Sequence, residues 1–219
     1  MTAASASIVV VNPNSSVSMT EAIQRSIEPL LAASTIPVRT VRVIDGPPGI
    51  DTQQHVMQAG PAMLRAIGAM PAAAVVVACF ADPGVHLLRE ELTVPVLGIA
   101  ESAYHAAIQF GHRFGIVSIS EAAIGRHARY LRELSLMDRL AGDRSIGTGT
   151  AGLNEQDTIE RVKDVATRLK QDDRAEVIVL GCAGLGEHRR EIERHVGLPV
   201  IDPVQAAVGF AQMRVALSQ

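Results

Sequence analysis

Apolar runs rich in β-branched residues alternate with helix-length polar–apolar stretches along the chain. Strands are predicted over Ser7–Val11, Val38–Ile44, Ala74–Cys79, Val96–Ile99, Phe114–Ile119, Ser145–Thr150, Val177–Gly181 and Val200–Ile201. Their apolar character is continuous rather than alternating, as in parallel strands covered on both faces. Helices are predicted over Ala22–Leu31, Gln53–Met70, Val85–Leu92, Ala103–Gln109, Glu121–Leu136, Asn154–Gln171, Glu187–His195 and Val204–Leu217. Ser18 followed by Glu21 has capping-box spacing before the first of these. This βαβα order predicts an α/β fold with helices on both faces of parallel sheets.

The pattern also repeats. Cys79 closes the run Val75-Val76-Val77-Ala78, and Cys182 closes Val177-Ile178-Val179-Leu180-Gly181. A Gly-containing turn, a charged helical stretch and a proline-led strand (Pro95-Val96-Leu97, Pro199-Val200-Ile201) follow each. The cysteines lie 103 positions apart and the prolines 104. Two similar Rossmann-like lobes with a pseudo-two-fold relation are therefore expected, over residues 1–101 and 102–203. The last helix, about 204–219, is expected to pack back on the first lobe. Ligands of open α/β sheets bind beyond the C-terminal strand ends. The loops Asn12–Ser16, Cys79–Gly84, Ser118–Ser120 and Cys182–Gly186 would then converge on a cleft between the lobes.

Composition narrows the function. The length of 219 residues suits one domain or two lobes of about 100 residues each. Apolar residues make up 47%, but aromatics only 3%, so the core is built from small side chains. A net charge of -3, with no basic run beyond Arg189-Arg190, argues against nucleic acid or a membrane surface as partner. No apolar stretch approaches the roughly 20 residues of a spanning helix, and the N-terminal residues do not resemble a signal peptide. Two cysteines in strand contexts read as reduced thiols of a cytoplasmic protein. The seven histidines show no metal-ligand spacing, and no phosphate-cradling loop follows the first strand. The only lysines, Lys163 and Lys170, fall in a polar helix away from the candidate loops. No metal, nucleotide or pyridoxal cofactor is expected.

A lone cysteine in an apolar run usually packs as a small hydrophobe. Cys79 and Cys182 differ in that both end a strand, both precede a helix, and both recur at equivalent places. A helix N-terminus favours thiolate and can lower a thiol pKa from about 8.5 into the range of about 3.5–7.5. One thiolate abstracting a proton from carbon, and a thiol returning one from the opposite face, would invert a stereocentre. The N–H groups of Phe80, Ala81, Ala183 and Gly184 are candidates to receive the negative charge on the neighbouring carbonyl oxygen. Ordinary strand-to-helix turns remain the alternative. Asn14 and Ser15 are candidate donors to substrate, or simply cap residues. Asp82 reads as a helix cap. Glu101 reads as a partner of a base or a cap, and Glu187-His188 as a solvent-facing helix surface.

Several strings together resemble the hydantoin/allantoin racemase group of the aspartate/glutamate racemase superfamily. They are Asn12-Pro13-Asn14-Ser15-Ser16 with Met19-Thr20, Ala78-Cys79-Phe80-Ala81-Asp82-Pro83-Gly84, Arg89-Glu90, Pro95-Val96-Leu97-Gly98-Ile99-Ala100-Glu101 and Gly181-Cys182-Ala183-Gly184. The likeness runs from about Ile8 to Ala211. It implies a two-lobed fold, cofactor independence, a two-thiol mechanism and a homo-oligomer. It also implies a site lined by Asn14, Ser15, Cys79, Phe80, Ala81, Ser118, Cys182, Ala183 and Gly184. The loop Gly46-Pro47-Pro48-Gly49-Ile50-Asp51 resembles one that borders the site, with Ile50 against a substrate side chain. Amino-acid racemases of the superfamily usually carry a hydroxyl or amide residue after each cysteine, where this chain has Phe80 and Ala183. A flat, uncharged ring such as a 5-substituted hydantoin or allantoin is the expected small-molecule substrate. An amino-acid racemase, a maleate isomerase- or arylmalonate decarboxylase-like enzyme, and a non-catalytic metabolite binder stay open.

Overall fold

The computed structural model of the chain describes residues 7–32, 34, 36–147 and 156–218. Among these, β1 (Ser7–Asn12), β2 (Val38–Arg42), β3 (Ala72–Val77) and β4 (Val96–Gly98) form one sheet, ordered β2-β1-β3-β4. A second sheet repeats that order as β6-β5-β7-β8, from β5 (Phe114–Ser118), β6 (Leu140–Ser145), β7 (Val177–Leu180) and β8 (Val200–Ile201). All pairings are parallel, with Val10 opposite Thr40 and Val76, and Ile116 opposite Asp143 and Val179. The central strands are apolar throughout because helices cover both faces: Ile8–Val11 and Val177–Leu180 are fully buried.

Eight α-helices connect the described strands: α1 (Val17–Leu31), α2 (Gln53–Ile67), α3 (Val85–Glu91), α4 (Ile99–Ala107), α5 (Glu121–Glu133), α6 (Gln156–Gln171), α7 (Arg189–Val196) and α8 (Pro203–Ala216). Ser16, not Ser18, caps α1: its Oγ accepts the Met19 N–H at 3.1 Å. Ser18 already lies inside the first turn, so the capping-box reading fails. The strand expected at Ser145–Thr150 is instead Leu140–Ser145. Its sequence Leu-Ala-Gly-Asp-Arg-Ser is polar because β6 is a half-buried edge strand; residues 148–150 lie outside the described residues. The helix expected from Asn154 is described from Gln156 onward. Cys182 leads into a 3-10 turn, Ala183–His188, and the regular helix starts only at Arg189. Glu187 on that turn is paired with Arg25 of α1 at 3.0 Å rather than left to solvent.

The sequence run Pro95–Ile99 changes to helix earlier than its apolar character suggests. The Asp82 carboxylate accepts the N–H groups of Ala100 (2.9 Å) and Glu101 (2.8 Å), which caps α4 from across the turn. Asp202 does the same for α8, accepting the Gln205 N–H at 2.6 Å. Both helices then cross to the other sheet. Ala100, Ala103, Tyr104 and Ala107 of α4 pack on Phe114, Ile116, Val177 and Val179 of the second sheet. Val204, Ala207, Val208 and Ala211 of α8 pack on Ile8, Val10, Ala74 and Val76 of the first. Small side chains on both helices let α4 and α8 also touch each other.

Candidate active site

Because both sheets are parallel, the ends of β1, β3, β5 and β7 place their following loops around one cavity of about 70 Å³. Of the residues singled out in the sequence, Asn14, Ile50, Cys79, Phe80, Ala81, Cys182 and Ala183 line it. Ser15, Ser118 and Gly184 do not. Ser15 ties its loop to the next one, with its N–H on the Pro47 carbonyl at 2.9 Å. Ser118 is fully buried behind the wall, and Gly184 supports Cys182.

The two sulfurs occupy matching settings. Each is unpaired, and each receives the N–H two residues further on: Ala81 for Cys79, and Gly184 for Cys182 at 3.4 Å. These N–H groups point at sulfur, not at a substrate oxygen, so two of the four expected oxyanion donors are already committed. Burial pushes both thiols up, each to about 12. The expectation that helix N-termini lower them is overturned. Cys79 is followed by a turn before the short α3, and Cys182 by a 3-10 turn, so desolvation outweighs the local N–H groups. Among the smaller effects, Cys182 and Asp82 raise Cys79 and Arg126 draws it down, whereas Asp202 and Asp51 raise Cys182.

Asn14 is fixed by its neighbours. Its Oδ1 accepts from Asn12 Nδ2 and from the Ser16 N–H, both at 2.9 Å. Both lone pairs are used, so the amide turns its NH2 towards the cavity. A Cβ at Gly46 would lie 2.6 Å from the Pro13 carbonyl oxygen, so only glycine lets the Ile50 loop pack this close.

Arg126 and His127 also line the cavity, and sequence reasoning missed both. They are consecutive residues of α5, a helix whose overall polar character resembles an ordinary surface helix. Their position one to two turns after Ser120, which opens α5, is the only trace in the sequence. His127 is 4% exposed. Its Nδ1 meets Asp143 Oδ2 at 2.8 Å and Ser118 Oγ at 3.2 Å, and Ser118 in turn donates to Asp143. Phe80 stands edge-on to the imidazole, with centroids 5.1 Å apart. Asp82 caps α4, as described, and Glu101 pairs with Arg89 and accepts from Tyr130 at 3.1 Å. Among the described residues, no group of three His, Cys, Asp or Glu side chains is placed to hold a metal ion.

Duplicated parallel sheets, crossed helices and a cavity flanked by one thiol from each half define a class: two-lobed α/β enzymes that work in the seam between their halves. The chain belongs to the Asp/Glu/Hydantoin racemase family, whose model matches residues 8–211, and it is an isomerase, a racemase. A hydantoin racemase of Paenarthrobacter aurescens is 35% identical over 217 residues, spanning 96% of this chain and 91% of that protein. An allantoin racemase structure from Klebsiella pneumoniae superposes with a TM-score of 0.90 at 29% identity, over 98% of this chain and 89% of that one. The allantoin racemase of Pseudomonas fluorescens gives 0.89 at 29% identity, over 96% and 91%. Among the described residues, no helix is long and apolar enough to cross a membrane.

Proposed function

We propose that the protein racemises a cyclic ureide, a 5-substituted hydantoin or allantoin, by passing a proton between Cys79 and Cys182. The observation that carries this reading is the pair of sulfurs, one from each lobe, on one small cavity, each served by the N–H two residues on. With the ring between them, one thiolate takes the proton from the carbon next to the carbonyl. The C–H electron pair moves to the carbonyl oxygen as an enolate, and the other thiol returns a proton to the opposite face. The N–H groups of Phe80 and Ala183 and the Asn14 amide are left to bind ring oxygens. Both thiols sit at about 12, so neither is fixed as the base, and their roles exchange with the handedness of the substrate. A small cavity of about 70 Å³ suits a compact ring. Relatives named hydantoin racemase and allantoin racemase support the substrate class. A reducing, cytoplasmic setting belongs to the same reading, because both thiols have to stay unpaired.

The test is decay of circular dichroism from single enantiomers of allantoin, 5-methylhydantoin and 5-benzylhydantoin, without added metal or cofactor. Enzyme-dependent decay that Cys79→Ser and Cys182→Ser each abolish is the expected result. No decay above the spontaneous rate on any ring would sink it. One observation favours a second reading. Asp51 and Arg126 give the lining one carboxylate and one guanidinium, the partners a free amino acid would use. Racemisation of aspartate or glutamate in place of the rings would select that reading.

A further inference from the structure

A second cavity, of about 200 Å³, lies behind Phe80 and shares the wall formed by Phe80, Ala81, Arg126 and His127 with the first. Most polar groups around it have partners. His86 meets Glu133 at 3.0 Å, Arg129 donates to Gln53 at 3.2 Å, Tyr130 donates to Glu101 at 3.1 Å, and Asp82 caps α4. Arg126 is the exception. No hydrogen bond or ion pair among the described residues holds its guanidinium, and its Nε is buried without a partner. A buried N–H donor left unpaired costs free energy and calls for an acceptor. His86 bonds Glu133, Gln53 bonds Arg129 and α4 engages Asp82, so Arg126 is the charged side chain facing this space with no bond among the described residues. A planar guanidinium prefers a carboxylate, which it can bind through two parallel hydrogen bonds.

We propose that the cavity behind Phe80 is a subsite for a carboxylate on the ring's 5-substituent, and that Arg126 is the specificity-determining residue that binds it. The ring would occupy the smaller cavity between the sulfurs, and a two- or three-atom arm would pass Phe80 to reach the guanidinium. This rests on the ring-racemase reading above and adds the charge of the preferred substituent.

The experiment compares 5-(2-carboxyethyl)hydantoin with 5-(2-carbamoylethyl)hydantoin, which match in size and differ in charge. Wild-type enzyme is expected to prefer the carboxylate in kcat/KM. Arg126→Gln should lower the carboxylate-to-carboxamide ratio of kcat/KM by about 10- to 100-fold, mainly through KM, as for loss of a charged hydrogen bond. Arg126→Lys should keep part of the preference. An unchanged ratio in Arg126→Gln, or a wild-type preference for the carboxamide, overturns the proposal. If wild type racemises neither ring, the ring-racemase reading fails by itself, and calorimetric binding of the same two compounds decides the subsite. Tighter binding of the carboxylate that Arg126→Gln removes supports it; equal binding of the two overturns it.

Discussion

Alkylation of the cysteines gives the sharpest check on the electrostatics of the site. With both thiols pushed up to about 12, the thiolate fraction at pH 7.5 is about three in 10⁵, against about one in ten for an exposed thiol of pKa about 8.5. Iodoacetamide reacts with thiolate, so native Cys79 and Cys182 should label about 10³-fold more slowly than the same residues in urea-unfolded protein. The rate should climb about tenfold per pH unit from 7 to 10 without levelling. Intact mass measured against time across that range reads both features. A plateau near pH 8, or native rates within tenfold of the unfolded control, would refute the reasoning. The same shift fixes the alkaline stability. The folded pKa lies above the unfolded one, so unfolded protein sheds these protons first. Stability should fall as pH rises from about 9 to 12, by about 4 kcal/mol per thiol. Slow labelling of the empty enzyme is therefore what a working site of this build predicts, and it does not by itself mark the thiols as inert packing.

Two further outcomes are expected. Burial pushes Asp82 and Asp202 up to about 7; the unfolded chain releases these protons first, so stability should fall as pH rises from about 4 to 7. Asp202→Asn should flatten that slope by up to about 2.5 kcal/mol in urea unfolding compared at pH 5 and pH 7.5, and an unaltered slope would count against it. Tyr104 is fully buried, and its hydroxyl has no hydrogen-bond partner among the described residues. Tyr104→Phe should stabilise the fold by about 1 kcal/mol in the same assay, and destabilisation would point to a partner for that hydroxyl.

Duplication made most of the architecture readable. Continuous apolar strands, paired cysteines and paired prolines recur at nearly constant separation, and short length with β-branched enrichment separates buried strand from helix. The misreadings have physical causes. Leu140–Ser145 is polar because an edge strand needs only one neighbour and half a cover. Ile99 leaves the strand because a carboxylate distant in sequence caps the next helix. That cap is hidden by an exchange within the repeat. At a separation of 104 positions Asp82 corresponds to Gly186 and Gly98 to Asp202, so the carboxylate sits on the turn in one lobe and at the helix start in the other. In both lobes a glycine faces it at close range. The loops that carry Asn14, Cys79 and Cys182 were legible because strand ends define them. Arg126 and His127 were not, since which face of a polar helix meets a cavity depends on how α5 is rotated against β5 and β6. The height of the thiol pKa values depends on desolvation, which a linear string does not contain.

The crossing of α4 and α8 has a consequence for synthesis. The first sheet is complete once β4 has emerged, yet half the cover of one of its faces, Val204, Ala207, Val208 and Ala211, belongs to the last helix. More than 100 residues separate them, which at ordinary elongation rates of about 5–20 residues per second is on the order of ten seconds. Throughout that interval the face formed by Ile8, Val10, Ala74 and Val76 is covered by Ile23 and Ile27 of α1 but lacks its second helix. The nascent first lobe is thus a natural client for a holding chaperone, and truncation ahead of Pro203 should yield an aggregating chain rather than a stable half-enzyme.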